Sequence, residues 1–281
     1  MKNSYQYKCG IVSITGLPNA GKSTLINRII NEKISIVSNK VQTTRNALRA
    51  IYVEDKCQII FVDTPGILKP KSFLNKEMTR AIYRTSEDSD INLYIHDVKN
   101  KILKKKNSTL ETLLNNHKKN FLILNKIDTT KKESLLIVSE RLNNCFKFEK
   151  TFMISALKNK GISELISCLK KEIPVGNWQY INNEKTDKNL NFILSEITRE
   201  KIFQLTNKEI PYAVNINTKK IRKINHFKIF QEIIIKKESQ KPILIGKKGE
   251  KIKEIGMRAR IEMEKKIREK IYLNLMVKVK K

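Results

Sequence analysis

Through the first two-thirds of the chain, apolar residues gather in short dense runs with longer polar stretches between them. Ile11–Thr15, Gln58–Val62, Ile91–His96, Phe121–Leu124 and Thr151–Ile154 are rich in branched side chains. Runs of this length predict strands buried on both faces, as in a parallel sheet. Between them, Ser23–Ile30, Ser72–Thr85 and Ser134–Asn144 show helical patterns. Strands alternating with helices predict an α/β domain with a mostly parallel sheet. In such a sheet the ligand sits beyond the carboxyl ends of the strands.

The alternation stops near Ile173–Asp187, where Pro, Gly and polar residues follow one another without period. That stretch predicts a linker, which divides the chain into residues 1–175, a linker at 176–189 and a second domain at 190–281. In the second domain the pattern predicts a helix over Leu190–Leu205 and strands around Tyr212–Ile216 and Phe230–Lys236. A helix from Gly249, another from about Met257 and a last strand at Tyr272–Val279 complete a small α+β domain.

Composition narrows the class. The chain has 281 residues and is 40% hydrophobic, enough for two modest cores and too much for a disordered protein. Lys and Arg number 57 against 28 Asp and Glu, a formal +29. Such a surface attracts polyanions, although Lys is abundant everywhere, so the placement of charge says more than its sum. Cys9, Cys57, Cys145 and Cys168 form no CxxC pair and fit reduced thiols in a cytoplasm. The N-terminus has no signal-like apolar stretch and no run approaches a membrane span. The basic surface still allows a peripheral membrane contact.

Chemistry enters at the strand ends. Gly16-Leu17-Pro18-Asn19-Ala20-Gly21-Lys22-Ser23 matches the phosphate-binding pattern GxxxxGK[ST], between a predicted strand and a helix that continues with Thr24. Its glycines let backbone N–H groups turn towards phosphate oxygens, and the helix N-terminus adds positive potential. Lys22 would reach the β- and γ-phosphates, and Ser23 would ligate Mg²⁺. Asp63-Thr64-Pro65-Gly66 lies 41 residues beyond Lys22. The carboxylate suits a metal-bound water, and the Gly66 N–H suits a γ-phosphate. In Gln42-Thr43-Thr44-Arg45 a hydroxyl, Thr44 in preference to Thr43, would complete the Mg²⁺ shell. Asn125-Lys126-Ile127-Asp128 chooses the base. The Asp128 carboxylate can accept hydrogen bonds from guanine N1–H and the 2-amino group, and adenine offers neither. Asn125 would support the base edge and the loop, and the Lys126 stem would cover one face of the base. Ser155-Ala156-Leu157 would offer a backbone N–H to guanine O6. Four such motifs in this order, each at a strand end, predict a GTP and GDP site.

In the second domain Gly246-Lys247-Lys248-Gly249 precedes a helix. A GxxG loop lets a nucleic-acid backbone approach where a Cβ would hold it off. Lys247 and Lys248, with Lys251 beside them, would neutralise phosphates. From Lys241 to Lys281 there are 14 Lys and Arg against 5 Glu, a net +9.

GLPNAGKST, KVQTTR, VDTPG, NKID and SAL, together with NFILSEITREKIF, EIPY and GKKGEKIKEIGMRAR, resemble the Era family of GTPases from about Ile11 to Lys280. The resemblance implies a translation-factor-related G domain followed by a type II KH domain. It also implies a GTP-hydrolysing monomer that binds small-subunit ribosomal RNA near its 3′ end and assists small-subunit assembly, with the inner membrane face as a further surface. The competing expectation is a constitutive RNA-binding protein with a structural G domain. Ile67 stands where Ras-like proteins carry a water-orienting Gln. Asn19 either helps ligate K⁺, as in related GTPases, or caps its own loop. Era proteins continue beyond the last strand with a Trp-containing tail, whose contribution here is expected to be dispensable or supplied otherwise.

Overall fold

The computed structural model describes residues 6–37, 48–64, 88–100, 102, 108–115, 117, 119–181, 183–206, 210, 214–223 and 226–280. They form two compact units, parting between Asp187 and Lys188.

The first unit is built on a six-stranded sheet. Its strands are β1 (Lys8–Gly16), β2 (Leu48–Glu54), β3 (Cys57–Asp63), β4 (Ile91–Asp97), β5 (Asn120–Asn125) and β6 (Lys150–Ile154). The spatial order is β2-β3-β1-β4-β5-β6. All neighbours run parallel except β2 and β3. Every residue of β3, β4 and β5 is buried, which is why those runs are continuously apolar rather than alternating. The flanking helices are α1 (Lys22–Ile30), α2 (Ser108–Asn115), α3 (Lys132–Cys145) and α4 (Ile162–Glu172). Helix α4 buries Ile162, Leu165, Ile166 and Leu169, a stripe at helical spacing. One core cluster joins Tyr94, Leu122 and Leu124 of the sheet to Leu110, Leu114, Leu135 and Leu142 of α2 and α3. The helix expected over Ser72–Thr85 lies outside the described residues.

Strand β2 was not evident as an apolar run, because Arg49 and Glu54 interrupt it. It pairs antiparallel with β3 through a tight turn in which Asp55 takes the left-handed conformation, φ 54°. The stretch expected as a linker also differs. Residues 176–181 and 183–187 lie against the rest of the first unit. The Gly176 N–H donates to the Tyr7 carbonyl, and Gln58 Oε1 accepts from the backbone N–H groups of Gln179 and Tyr180. Lys185, Thr186 and Asp187 then run beside β2, where the Ile51 N–H donates to the Lys185 carbonyl and the Asp187 N–H to the Arg49 carbonyl. The polar chain that reads as a spacer thus covers an edge strand whose backbone groups would otherwise face water.

The second unit runs α5 (Leu190–Leu205), β7 (Asn215–Lys223), β8 (Phe227–Ile235), α6 (Lys241–Ile245), α7 (Glu250–Ile267) and β9 (Ile271–Val279). Its sheet has the order β7-β8-β9, antiparallel then parallel. The first strand starts three residues later than expected, and Tyr212 is outside the described residues. Two helices expected from Gly249 and Met257 are one. Gly256 does not break α7, because Ile252, Ile255, Ala259 and Met263 continue the buried spacing through it. Short α6 was missed because five residues carry no readable period.

Candidate functional sites

The phosphate loop, Asp63–Thr64, Asn125–Asp128 and Ser155–Leu157 each follow a strand's carboxyl end, so the sheet brings these motifs together. β1 ends at Gly16 and opens the phosphate loop. Gly21, at φ 103°, packs so closely that a Cβ would come within 2.2 Å of Asn125 Nδ2. Asn19 is exposed and left-handed, φ 62°, Pro18 is half-buried and Ala20 is buried. Lys22 curls back, its Nζ donating to the Gly16 and Leu17 carbonyls at 3.1 Å each. Burial pulls its pKa down to about 8, against the opposing pull of the Asp63 charge. Thr24, in the same first turn, is half-buried.

Asp63, fully buried at the end of β3, accepts at Oδ2 from the hydroxyls of Ser23 at 3.0 Å and Ser35 at 2.7 Å. A carboxylate and a hydroxyl this close, beside the phosphate loop, form a hard oxygen set. Among the described residues no three His, Cys, Asp or Glu side chains cluster as a metal site. Any ion here would therefore rely on few protein ligands plus phosphate and water, which is how Mg²⁺ is held. Thr64 turns away from this point. Its hydroxyl donates to the Ile14 carbonyl at 2.7 Å, so the side chain ties β3 to β1 and only its backbone faces onward. Thr44 and Gly66 lie outside the described residues, as do Gln42, Thr43, Arg45 and Ile67.

Asn125 closes β5 and joins three loops. Its Nδ2 donates to the Ala20 carbonyl at 2.8 Å and its Oδ1 accepts from the Ala156 N–H at 3.0 Å. The amide is thus engaged by backbone at both ends and braces the loops, which is one half of the expectation that it supports the base edge and the loop. Lys126, left-handed at φ 67°, sends Nζ to the Asn19 carbonyl at 2.8 Å and to Asp97 Oδ2 at 2.7 Å. Its stem is therefore held taut between the phosphate loop and β4. Asp128 is exposed. The Ser155 hydroxyl first, and Lys158 and Lys160 after it, hold its carboxyl below the ordinary range, so it is ionised and ready to accept. Ser155 is buried and its backbone is paired in both directions with Lys160, while Leu157 is exposed.

Sequence reasoning missed four residues of this constellation. Asp97 anchors Lys126, and its place at the end of a buried run was the available signal. Arg28 donates from α1 to the Ala156 and Leu157 carbonyls at 3.3 and 3.1 Å. Asn27 and Ser35, on and just after α1, brace Asp63. None of these three belongs to a motif.

In the second unit, α6 ends at Gly246 (φ 76°), where a Cβ would meet the Lys251 Cβ at 2.7 Å. Lys247 and Lys248 are exposed, and Lys248 is left-handed at φ 48°. Gly249 caps α7 and no side chain bonds its first turn. The loop is rooted by Leu244 and Ile255, both fully buried in one cluster with Ile202 and Ile233. Two exposed cations and an uncapped helix N-terminus are suited to phosphate. Lys251 is half-buried beside them.

The chain matches the family described as 50S ribosome-binding GTPase over residues 11–126 and the family described as KH domain over residues 209–281. It is 43% identical to GTPase Era of Syntrophus aciditrophicus over 99% of this chain and 92% of that one. It is 39% identical to GTPase Era of Brucella suis over 98% and 89%. A crystal structure of a point variant of Aquifex aeolicus Era bound to GDP·AlF₄⁻ superposes with a TM-score of 0.89 at 34% identity, covering 97% of this chain and 94% of that one. Era in complex with MgGDPNP and nucleotides 1506–1542 of 16S ribosomal RNA superposes with the same score and identity, covering 98% and 94%. Likeness at this level over nearly the whole of both chains means that this chain belongs to the Era family of GTPases.

Proposed function

We propose that the chain is a GTP-driven switch that binds small-subunit ribosomal RNA near its 3′ end and assists assembly of the small ribosomal subunit. The observation that carries the nucleotide half is the convergence of Lys22, Asp63, Asn125, Asp128 and Ser155 at the ends of four parallel strands. Phosphates would lie against Gly16 and Pro18–Thr24, the γ-phosphate near Thr44, the Thr64 backbone and Gly66. Guanine would be read by Asp128, with Lys126 across its face and a backbone N–H of Ser155–Leu157 at O6. Ser23, Asp63 and Thr44 would hold Mg²⁺, which supplies charge neutralisation between the β- and γ-phosphates when bound. Lys22, freed from its own loop carbonyls, would exchange them for phosphate oxygens.

Ile67 cannot orient water by hydrogen bonding, so unassisted turnover should be slow, about 10⁻³ s⁻¹. An ion beside Asn19 would supply the missing charge. Hydrolysis should then run faster in K⁺ than in Na⁺ at equal ionic strength, and Asn19→Ala should remove the difference. Identical rates in the two salts would sink the K⁺ reading.

The RNA half is supported by Gly246–Gly249 with Lys251, and by the related Era chain, 34% identical, whose complex holds nucleotides 1506–1542 of 16S ribosomal RNA. The protein would work as a cytoplasmic monomer. Among the described residues no helix is long and apolar enough to cross a membrane, so a contact with the inner membrane face would be peripheral and would use the basic surface. Crosslinking the GTP-bound protein to RNA in cells and sequencing the adducts tests the assignment. Reads should gather at the 3′ end of small-subunit RNA, and a spread over unrelated RNAs would refute it.

A further inference from the structure

We propose that Ser35 is a positioning residue for magnesium: its buried hydroxyl holds the Asp63 carboxylate in the orientation that receives the ion, and Asn27 holds Ser35. The proposal rests on the reading of Ser23 and Asp63 as the magnesium site. Ser35 lies in an irregular stretch after α1, yet Ile34, Ser35 and Ile36 are each no more than 5% exposed. A buried hydroxyl between two isoleucines is stable only with a partner, and its partner is Asp63 Oδ2 at 2.7 Å. The backbone of Ser35 is pinned as well. Asn27 Oδ1 accepts from the Ile34 and Ser35 N–H groups at 3.0 and 2.9 Å, and Nδ2 donates to the Ser35 carbonyl at 2.8 Å.

Asn27 follows Ser23 by four residues, so the two occupy one face of α1. A single helix face therefore places one hydroxyl on Asp63 directly and a second through Ser35. Both hydroxyls reach the same carboxylate oxygen, and hydrogen bonds to an ionised group are the stronger kind. Ser23 has a second duty when the ion binds, because its hydroxyl oxygen is then a ligand. Ser35 has none, so it can keep the carboxylate in place through loading and release. Groups that orient a metal ligand typically change metal affinity 10- to 100-fold when removed.

The test uses the full chain and a fluorescent GDP analogue, whose release is followed while Mg²⁺ is raised from an EDTA-buffered start. Ser35→Ala should raise the Mg²⁺ concentration that half-maximally slows release by about tenfold, while analogue affinity in EDTA stays at the wild-type value. Ser35→Thr keeps the hydroxyl and should return the midpoint towards wild type, which a purely structural role would not require. If Ser35→Ala fails to bind the analogue in EDTA, Ser35→Cys, which keeps the volume with a weak donor, gives the answer by the same midpoint. Asp63→Asn separates the two levels. If it abolishes the Mg²⁺ response while Ser35→Ala or Ser35→Cys leaves the midpoint unchanged, the role of Ser35 is wrong and the site stands. If Asp63→Asn keeps a wild-type response, the magnesium site itself is wrong and the proposal falls with it.

Discussion

In the proposed reading the nucleotide site and the GKKG loop both present lysines to phosphate, but they hold them in opposite ways. Lys22 is buried, its ammonium accepted by two backbone carbonyls, within a constellation in which Asp63, Asn125 and Lys126 are each fixed by named partners. Lys247 and Lys248 are exposed, and neither makes an ion pair among the described residues. The first arrangement is organised before its ligand arrives, which suits selectivity for one base and the placing of charge on a reacting phosphate. The second spends no stability on holding its cations. It suits an extended polyanion whose binding is driven by counterion release. One region should therefore be sensitive to single atoms, and the other to salt.

The largest effect should come from Asp128→Asn. An amide in place of the carboxylate presents a donor to the guanine 2-amino position, and a site built for hydrogen bonds penalises such a mismatch by roughly 10⁴. Competition binding should show preference moving from GTP to xanthosine triphosphate, whose keto oxygen accepts from the new amide. Unchanged GTP preference would mean that Asp128 does not read the base.

Next is the charge reversal Lys247→Asp with Lys248→Asp. RNA binding should be lost at moderate salt with GTP binding intact. Whatever affinity remains at low salt should depend less steeply on salt, with a slope flatter by about 1.4 at roughly 0.7 per phosphate contact. Circular dichroism should show the fold retained, because Gly246 and Gly249 still make the turn. An unchanged slope in a folded variant would reduce GKKG to a turn.

The pH response of Lys22 sharpens the contrast. Burial lowers its pKa to about 8 in the ligand-free protein, and a phosphate beside it would raise that value. The bound state then holds more protons than the free state above pH 8, so GDP affinity should be flat below pH 8 and fall above it, approaching tenfold per unit. Titrating binding from pH 7 to 9 against Lys22→Met, which cannot titrate, isolates the effect. Parallel pH profiles in the two proteins would contradict it.

The smallest effect concerns the scaffold. Gly256→Ala places a Cβ 3.4 Å from Leu275 Cδ1, an ordinary contact inside a continuous helix. It should stabilise the second unit by about 0.5–1 kcal/mol, read as a higher midpoint in thermal or urea unfolding. Marked destabilisation would favour a break at Gly256.

The same contrast separates what could be read from the chain and what could not. Strands buried on both faces announce themselves, as β3, β4 and β5 do. The motif residues at their ends could be named because phosphate and guanine chemistry demand those side chains at those spacings. Strand β2 was hidden because an edge strand tolerates Arg49 and Glu54. The segment 176–187 read as a spacer because its contacts run to Tyr7, Arg49, Ile51 and Gln58, more than 120 residues away in sequence. Arg28, Asn27, Ser35 and Asp97 escaped as well. Arg28 and Ser35 act on partners 28 or more residues away and Asn27 on the irregular stretch after its helix, none of which has a local mark, whereas Asp97 stood at the end of a buried run. In the second unit Gly256 signalled a helix end locally, and the buried stripe on both sides of it outweighed that signal.

The most direct test of a switch, as against a constitutive RNA binder with an inert G domain, is the affinity of the full chain for an oligonucleotide of the small-subunit RNA 3′ end, measured with Mg²⁺ and either GDPNP or GDP. Binding should be tighter with GDPNP, and Asp63→Ala should lose that difference. Equal affinity in the two nucleotide states, at every salt concentration tried, would contradict it.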